Sequence, residues 1–142
     1  MKLFLDANVV FSAAHQATGN AQALVALARA GHCSLQTSAH ALEEARRNLA
    51  LKSKGFEPRL AEALAQLALV PEAPPALVDW ARGEGLPLKD APILAAAVHA
   101  GAEALVTGDA RDFGAFYERT LRGVRVLAPA RALELVLKRA GV

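Results

Sequence analysis

At 142 residues the chain has the length of one domain, long enough to bury a hydrophobic core without disulfides or a structural metal, and a single domain over residues 1–142 is expected. With 54% hydrophobic and 21% charged residues the composition is soluble and globular, and no apolar run approaches a membrane span. The net charge of +2 permits a nucleic-acid partner without demanding one, while five Phe, one Tyr and one Trp are too few for a base-stacking platform.

Residues 2–5 (KLFL) read as a short buried strand, and DANVVFSAA then turns into a helix with Asp6 placed to cap it. The early Asp6 argues against a secretory signal. A second helix is expected over NAQALVALARAG, capped by Asn20 and ended by Gly31. CSLQTS reads as a second strand. Its Cys33 is the only cysteine, so no disulfide framework is expected and a reducing cytoplasm is the default. SAHALEEARRNLAL is helical with Ser38 as cap. After the polar link LKSKGFEP, residues 57–69 (EPRLAEALAQLAL) read as another helix, with Leu60, Leu64 and Leu67 on one face. A short strand in LVPEAP precedes the helix PALVDWARGEG. DAPILAAAVHAG is a strong helix, with Asp90 as cap, Pro92 in its first turn and Gly101 at its end. EALVT and VRVLAP are strands, and ARALELVLKRAG is a terminal amphipathic helix. Strands alternate with helices and are apolar throughout, which suits an α/β fold with a parallel sheet covered on both faces.

In such a sheet, ligands bind beyond the carboxyl ends of the strands. Asp6 comes after strand one, and Asp109 after the strand EALVT. Asp90 opens the helix leading into the second of these strands, which puts it on the same rim. Glu43 and Glu44 lie early in the helix after strand two, and Asp112 is one turn past Asp109. Taken singly, Asp6, Asp90 and Asp109 are good helix caps, and Glu43 or Glu44 is a solvated face or part of a capping box. Together, four or five carboxylates on one rim repel each other and raise their pKa values unless something neutralises them. A hard divalent cation with oxygen ligands, Mg²⁺ or Mn²⁺, does so, and can activate water for an in-line displacement at a phosphodiester. No glycine-rich P-loop is present.

These segments resemble the PIN-domain nucleases, including the VapC-like toxin ribonucleases of VapBC-type toxin–antitoxin pairs. FLDANVVFSA is similar to the family's opening strand, with Asp6 as first acid and Asn8 two positions on. TSAHALEEARRNL resembles its Ser-led helix, where an acid follows six residues later, and this selects Glu44 over Glu43. LPLKDAPILAAAVHAGAEALVTGDARDF carries Asp90 and Asp109 over as acids three and four, with Asp112 at a fifth, less uniform position. The resemblance implies a three-layer α/β/α sandwich with a central parallel sheet, and metal-dependent cleavage of RNA. It also implies a homodimer and, for a toxin, a cognate antitoxin protein. In this reading Asp6, Asp90 and Asp109 are metal ligands, and Glu44 binds metal or orients the attacking water. Asp112 helps through a second metal or a bound water, and Asn8 and Thr107 support by hydrogen bonding. Lys89 and Arg111, flanking the acids, are candidates to hold RNA phosphates, whereas Arg46 and Arg47 read as solvated surface.

The alternatives are weaker. A haloacid-dehalogenase-like phosphatase wants a second Asp two residues after the first, where this chain has Asn8. A response-regulator receiver needs a late Lys and an Asp after a middle strand. A PIN-like protein that binds RNA or a partner without cutting has no need of so repulsive a cluster. The histidines His15, His32, His40 and His99 are scattered and show no zinc-ligand spacing.

Overall fold

The computed structural model describes residues 1–141. Its centre is a six-stranded sheet in the order β3-β2-β1-β4-β6-β5. The strands are β1 (Lys2–Leu5), β2 (Ser34–Ser38), β3 (Leu67–Val70), β4 (Ala104–Val106), β5 (Thr120–Leu121) and β6 (Val124–Leu127). All neighbours run parallel except the β5–β6 hairpin. The central sheet is thus parallel, as the sequence predicts, with an antiparallel strand at one edge.

Successive strand residues point to opposite faces, and both faces are covered. Leu3, Leu5, Leu35, Ala104, Val106 and Leu127 pack against helices α1 (Ala7–His15), α2 (Asn20–Arg29), α3 (Ala39–Lys52), α4 (Glu57–Leu64) and α8 (Pro129–Arg139). Phe4, Leu105 and Val126 pack on the other side against α5 (Pro75–Gly83), α6 (Ala91–His99), the short helix α7 (Ala110–Phe113) and the 3₁₀ turn Gly114–Phe116. This is the three-layer α/β/α arrangement. The run Ile93–Ala97 of α6 is wholly buried; its alanines carry no side chain beyond Cβ, which lets the helix lie close on the sheet. Among the described residues no helix is long and apolar enough to cross a membrane.

Several local expectations are corrected. The helix predicted over 57–69 stops at Leu64, and Leu67–Val70 pair with Leu35–Ser38 as β3. A short apolar run such as LALV fits either period, and the available sheet edge decides. Asn20 is the first residue of α2 and not its cap; Gly19 occupies the cap position at φ 115°, with no side-chain bond. Asp90 sits at the start of α6 but makes no capping hydrogen bond. Strand β5 is absent from the sequence reading. Its turn places Arg122 and Gly123 at φ 48° and 84°, the paired left-handed geometry of a tight hairpin, but with Arg where Asn or Asp would announce it. Ser38 does cap α3, accepting from the Ala41 N–H at 3.2 Å. The thiol of Cys33 is buried just before β2 and burial pushes its pKa up, as expected of an inert cysteine.

Candidate active site

The chain lays down β1, β2 and β3 towards one edge and then returns to place β4 on the other side of β1. The loops after β1 and β4 part in opposite directions, which opens a crevice at their carboxyl ends. Asp6 and Thr107 are the first residues beyond these two strands.

Asp6 is buried and tightly held. The Ala7 N–H donates to its Oδ1 at 2.7 Å, while the Thr107 hydroxyl and the Asn8 amide donate to its Oδ2 at 2.8 and 3.1 Å. Burial pushes the carboxyl above its ordinary pKa; the bonds from Thr107, Ala7 and Asn8 oppose this, and the charge of Glu44 adds to it. Asn8 also ties the two strand ends together, because its Oδ1 accepts the Gly108 N–H at 2.7 Å. A Cβ at position 108 would stand 3.2 Å from that oxygen, so the close approach favours glycine. Thr107 is fully buried and fully used: its N–H donates to Leu127 O, and its hydroxyl also accepts the Asp109 N–H at 3.1 Å.

A second group of acids gathers beside this one. Oxygens of Asp90, Asp109 and Asp112 lie within 4.8 Å of one another. Asp109 caps α7, accepting the Asp112 N–H at 3.1 Å, so its helix-capping and cluster roles coexist. Asp90 is 6% exposed and its Oδ2 has no hydrogen-bond partner. Burial, followed by the neighbouring Asp112 carboxyl, raises Asp90 to about 7, while Asp112 is held below the ordinary range by Asp90 and by Lys89. The Lys89 ammonium lies 3.3 Å from Asp112. Three converging carboxylates with one buried, unpartnered oxygen form an all-oxygen donor set that fits a hard divalent cation.

Asp6, Asn8, Glu44, Lys89, Asp90 and Asp109 line one cleft of about 580 Å³. Glu44 is half-buried and faces it, whereas Glu43 is exposed elsewhere on α3. Asp112 lies outside this cleft, in an adjoining hollow with Pro87, Lys89, Asp109 and Arg111. The tight trio is thus Asp90, Asp109 and Asp112, with Asp6 and Glu44 across the cleft from it. None of the four histidines joins the acids.

Tyr117 escaped the sequence reading. Its hydroxyl donates to Thr107 O at 2.8 Å, which closes the last polar group of the residue linking both acid groups. Burial, then the charges of Asp109 and Asp6, raises the phenol's pKa. A single Tyr in FGAFYERT carries no motif that could have announced it.

Comparison with known structures gives the same fold. VapBC2 from Rickettsia felis, solved bound to a DNA fragment from their promoter, superposes with a TM-score of 0.65 at 18% identity, over 90% of this chain and 98% of that one. PAE2754 from Pyrobaculum aerophilum gives 0.66 at 18% identity, over 97% and 96%. FitAcB from Neisseria gonorrhoeae gives 0.55 at 22% identity, over 90% and 98%. Comparison with curated protein sequences gives no match. The sequence profile of the PIN domain matches residues 2–111, a span that takes in Asp6, Glu44, Asp90 and Asp109. The crevice at the β1/β4 switch point, its acids and this profile agree, and the chain belongs to the PIN domain family.

Proposed function

We propose that the chain is a divalent-metal-dependent endoribonuclease, acting as the toxin of a toxin–antitoxin pair. The observation that carries this reading is the convergence of Asp90, Asp109 and Asp112 around a buried oxygen that no protein group satisfies. Asp6, Asp90, Asp109 and Asp112 are the residues that would hold Mg²⁺ or Mn²⁺. When bound, such an ion lowers the pKa of water and offsets charge on a scissile phosphate. Glu44 sits in the same cleft, placed to orient the attacking water. Thr107 and Asn8 fix the Asp6 carboxylate, and Lys89 and Arg111, beside the acids, hold flanking RNA phosphates.

The fold shared with VapBC2 and FitAcB supports a cognate antitoxin protein as partner. A homodimer in the cytoplasm completes the proposal. The deciding experiment is cleavage of a mixed RNA pool with Mg²⁺ or Mn²⁺, alongside EDTA and the Asp109→Asn variant. Cleavage that needs both the metal and Asp109 is expected. A folded, metal-binding protein that leaves all RNA intact would favour a PIN-like binder that does not cut.

A further inference from the structure

We propose that, where the cleft continues away from the acids along α3, Asn48 reads a base and Lys52 holds a phosphate of the bound RNA strand. This rests on the ribonuclease reading and adds to it a specificity wall on α3.

On α3 the cleft is lined by Glu44, Asn48 and Lys52, and on the neighbouring α1 by Asn8 and Ser12, with Gln16 just past the end of that helix. Glu44, Asn48 and Lys52 step by four residues and form one stripe along the face of α3, and Asn8 and Ser12 share a face of α1 in the same way. The α3 stripe covers eight residues, about 12 Å at the helical rise, or about three stacked nucleotides at 3.4 Å each. Its chemistry changes in order: a carboxylate at the catalytic end, an amide in the middle, an ammonium at the far end. A strand whose scissile phosphate lies at the acids then brings a later phosphate to Lys52.

The middle of the groove is polar but uncharged. Side-chain amides offer a donor and an acceptor together, the pattern that pairs with an exposed base edge. Phe11, on α1, lines the same cleft and is stacked on His15, with ring centroids 4.9 Å apart, which holds one aromatic ring in place beside the amides. Such contacts need bases that are splayed out; an RNA duplex turns its base edges into a deep, narrow groove that side chains cannot read. Lys52 supplies an anion contact at the far end of the groove, where a basic peptide is repelled, while charge at the acid end favours a cation.

The test uses a short 2′-O-methyl RNA single strand in EDTA, which withholds the metal that the proposed cleavage needs, and its affinity for the full chain by fluorescence anisotropy across a salt series. Lys52→Gln should weaken binding about tenfold and flatten the log–log salt slope by about 0.7, one phosphate on a single strand. Arg46→Gln, the same charge change on α3 outside the cleft, should leave both unchanged. Asn48→Ala should alter the ranking of the four homopolymers more than the mean affinity. Circular dichroism checks that each variant is folded. The groove is overturned if Arg46→Gln and Lys52→Gln weaken binding equally, or if a duplex binds as well as the single strand. It is also overturned if a lysine-rich peptide displaces the RNA and binds Lys52→Gln more tightly than the wild type. Cleavage of unmodified RNA with affinity indifferent to Lys52 defeats the groove alone. The expected binding pattern without metal-dependent cleavage defeats the nuclease reading.

Discussion

Asp6 and Asp90 are buried to nearly the same degree, 4% and 6% exposed, yet their surroundings are opposite. Asp6 receives hydrogen bonds from Ala7, Asn8 and Thr107. Asp90 leaves Oδ2 unsatisfied and faces two further carboxylates. A buried polar atom without a partner costs about 1–3 kcal/mol and more when charged, so the fold tolerates at Asp90 what it avoids at Asp6. One carboxylate is satisfied by protein donors; the other keeps a buried oxygen that no protein donor reaches.

The sharpest way to break this comparison is Asp90→Asn. The amide removes one charge from the cluster, so the metal-free variant should melt higher than the wild type at pH 8. The same change should cost more than about 100-fold in cleavage and Mn²⁺ affinity, beyond what supporting residues usually carry. Calorimetry with and without Mn²⁺ measures both signs. A variant that is less stable without metal, or that keeps its Mn²⁺ affinity, defeats the assignment of Asp90 as a ligand.

Thr107→Val probes the satisfied side and should move stability the other way. It deletes the donor to Asp6 and the acceptor for the Asp109 N–H in a buried site. A loss of about 1–3 kcal/mol and of about 10–100-fold in activity is expected, read by urea melts and cleavage rates. Unchanged rates would mean that Asp6 needs no help in holding its position.

The contrast also predicts a pH dependence. Folding raises Asp90 from 3.8 to about 7, so the folded chain binds that proton more tightly than the unfolded one. The stability this contributes is present in full below about pH 4 and is lost as pH rises through 7. Asp112, held low, acts in the opposite sense, but only below the ordinary carboxylate range. Asp6, also raised by burial, acts in the same sense as Asp90, so the metal-free melting temperature should fall between pH 5 and 8, and the fall should be shallower in Asp90→Asn or with saturating Mn²⁺. A rise over that interval in the metal-free wild type would contradict the picture.

The satisfied and unsatisfied acids were not equally legible in the sequence. Asp6 and Asp109 announced themselves because each follows an apolar strand and starts a helix, and both do cap. Asp90 shares only the helix start, and its side chain makes no capping bond; local sequence cannot distinguish a carboxylate turned to its own backbone from one turned into a cluster. Choosing Glu44 over Glu43 needs the helix phase, since one residue turns a side chain by about 100°. Strand β3 was expected two residues late, in LVPEAP, because Leu67 and Ala68 also continue the apolar face of the preceding helix, and β5 was hidden because two residues become a strand only through their partner. Tyr117 depends on a contact with Thr107 that no local pattern encodes.

Tyr117→Phe is a smaller test of the same network. The missing hydroxyl leaves the carbonyl of a buried threonine without its side-chain donor, at about 1–3 kcal/mol. Both carboxylates keep their own bonds, so activity should fall less than in Thr107→Val. If Mn²⁺ affinity drops as far as in Thr107→Val, the tyrosine holds the acid loop itself rather than one carbonyl within it.

The smallest effect should come from Lys89→Met. Its ammonium is the protein's own cation at the unsatisfied corner, 3.3 Å from Asp112, but the side chain is 65% exposed. Exposed pairs contribute about 0–1 kcal/mol and are weakened further by salt, so the urea midpoint should barely move at physiological ionic strength. If Lys89 substantially relieves the cluster's repulsion, Lys89→Met should instead destabilise the metal-free protein at low salt, and Mn²⁺ should restore it. A near-neutral result in both salts would mean that a mobile surface lysine cannot substitute for a cation among the carboxylates, which leaves its ammonium free for the RNA backbone.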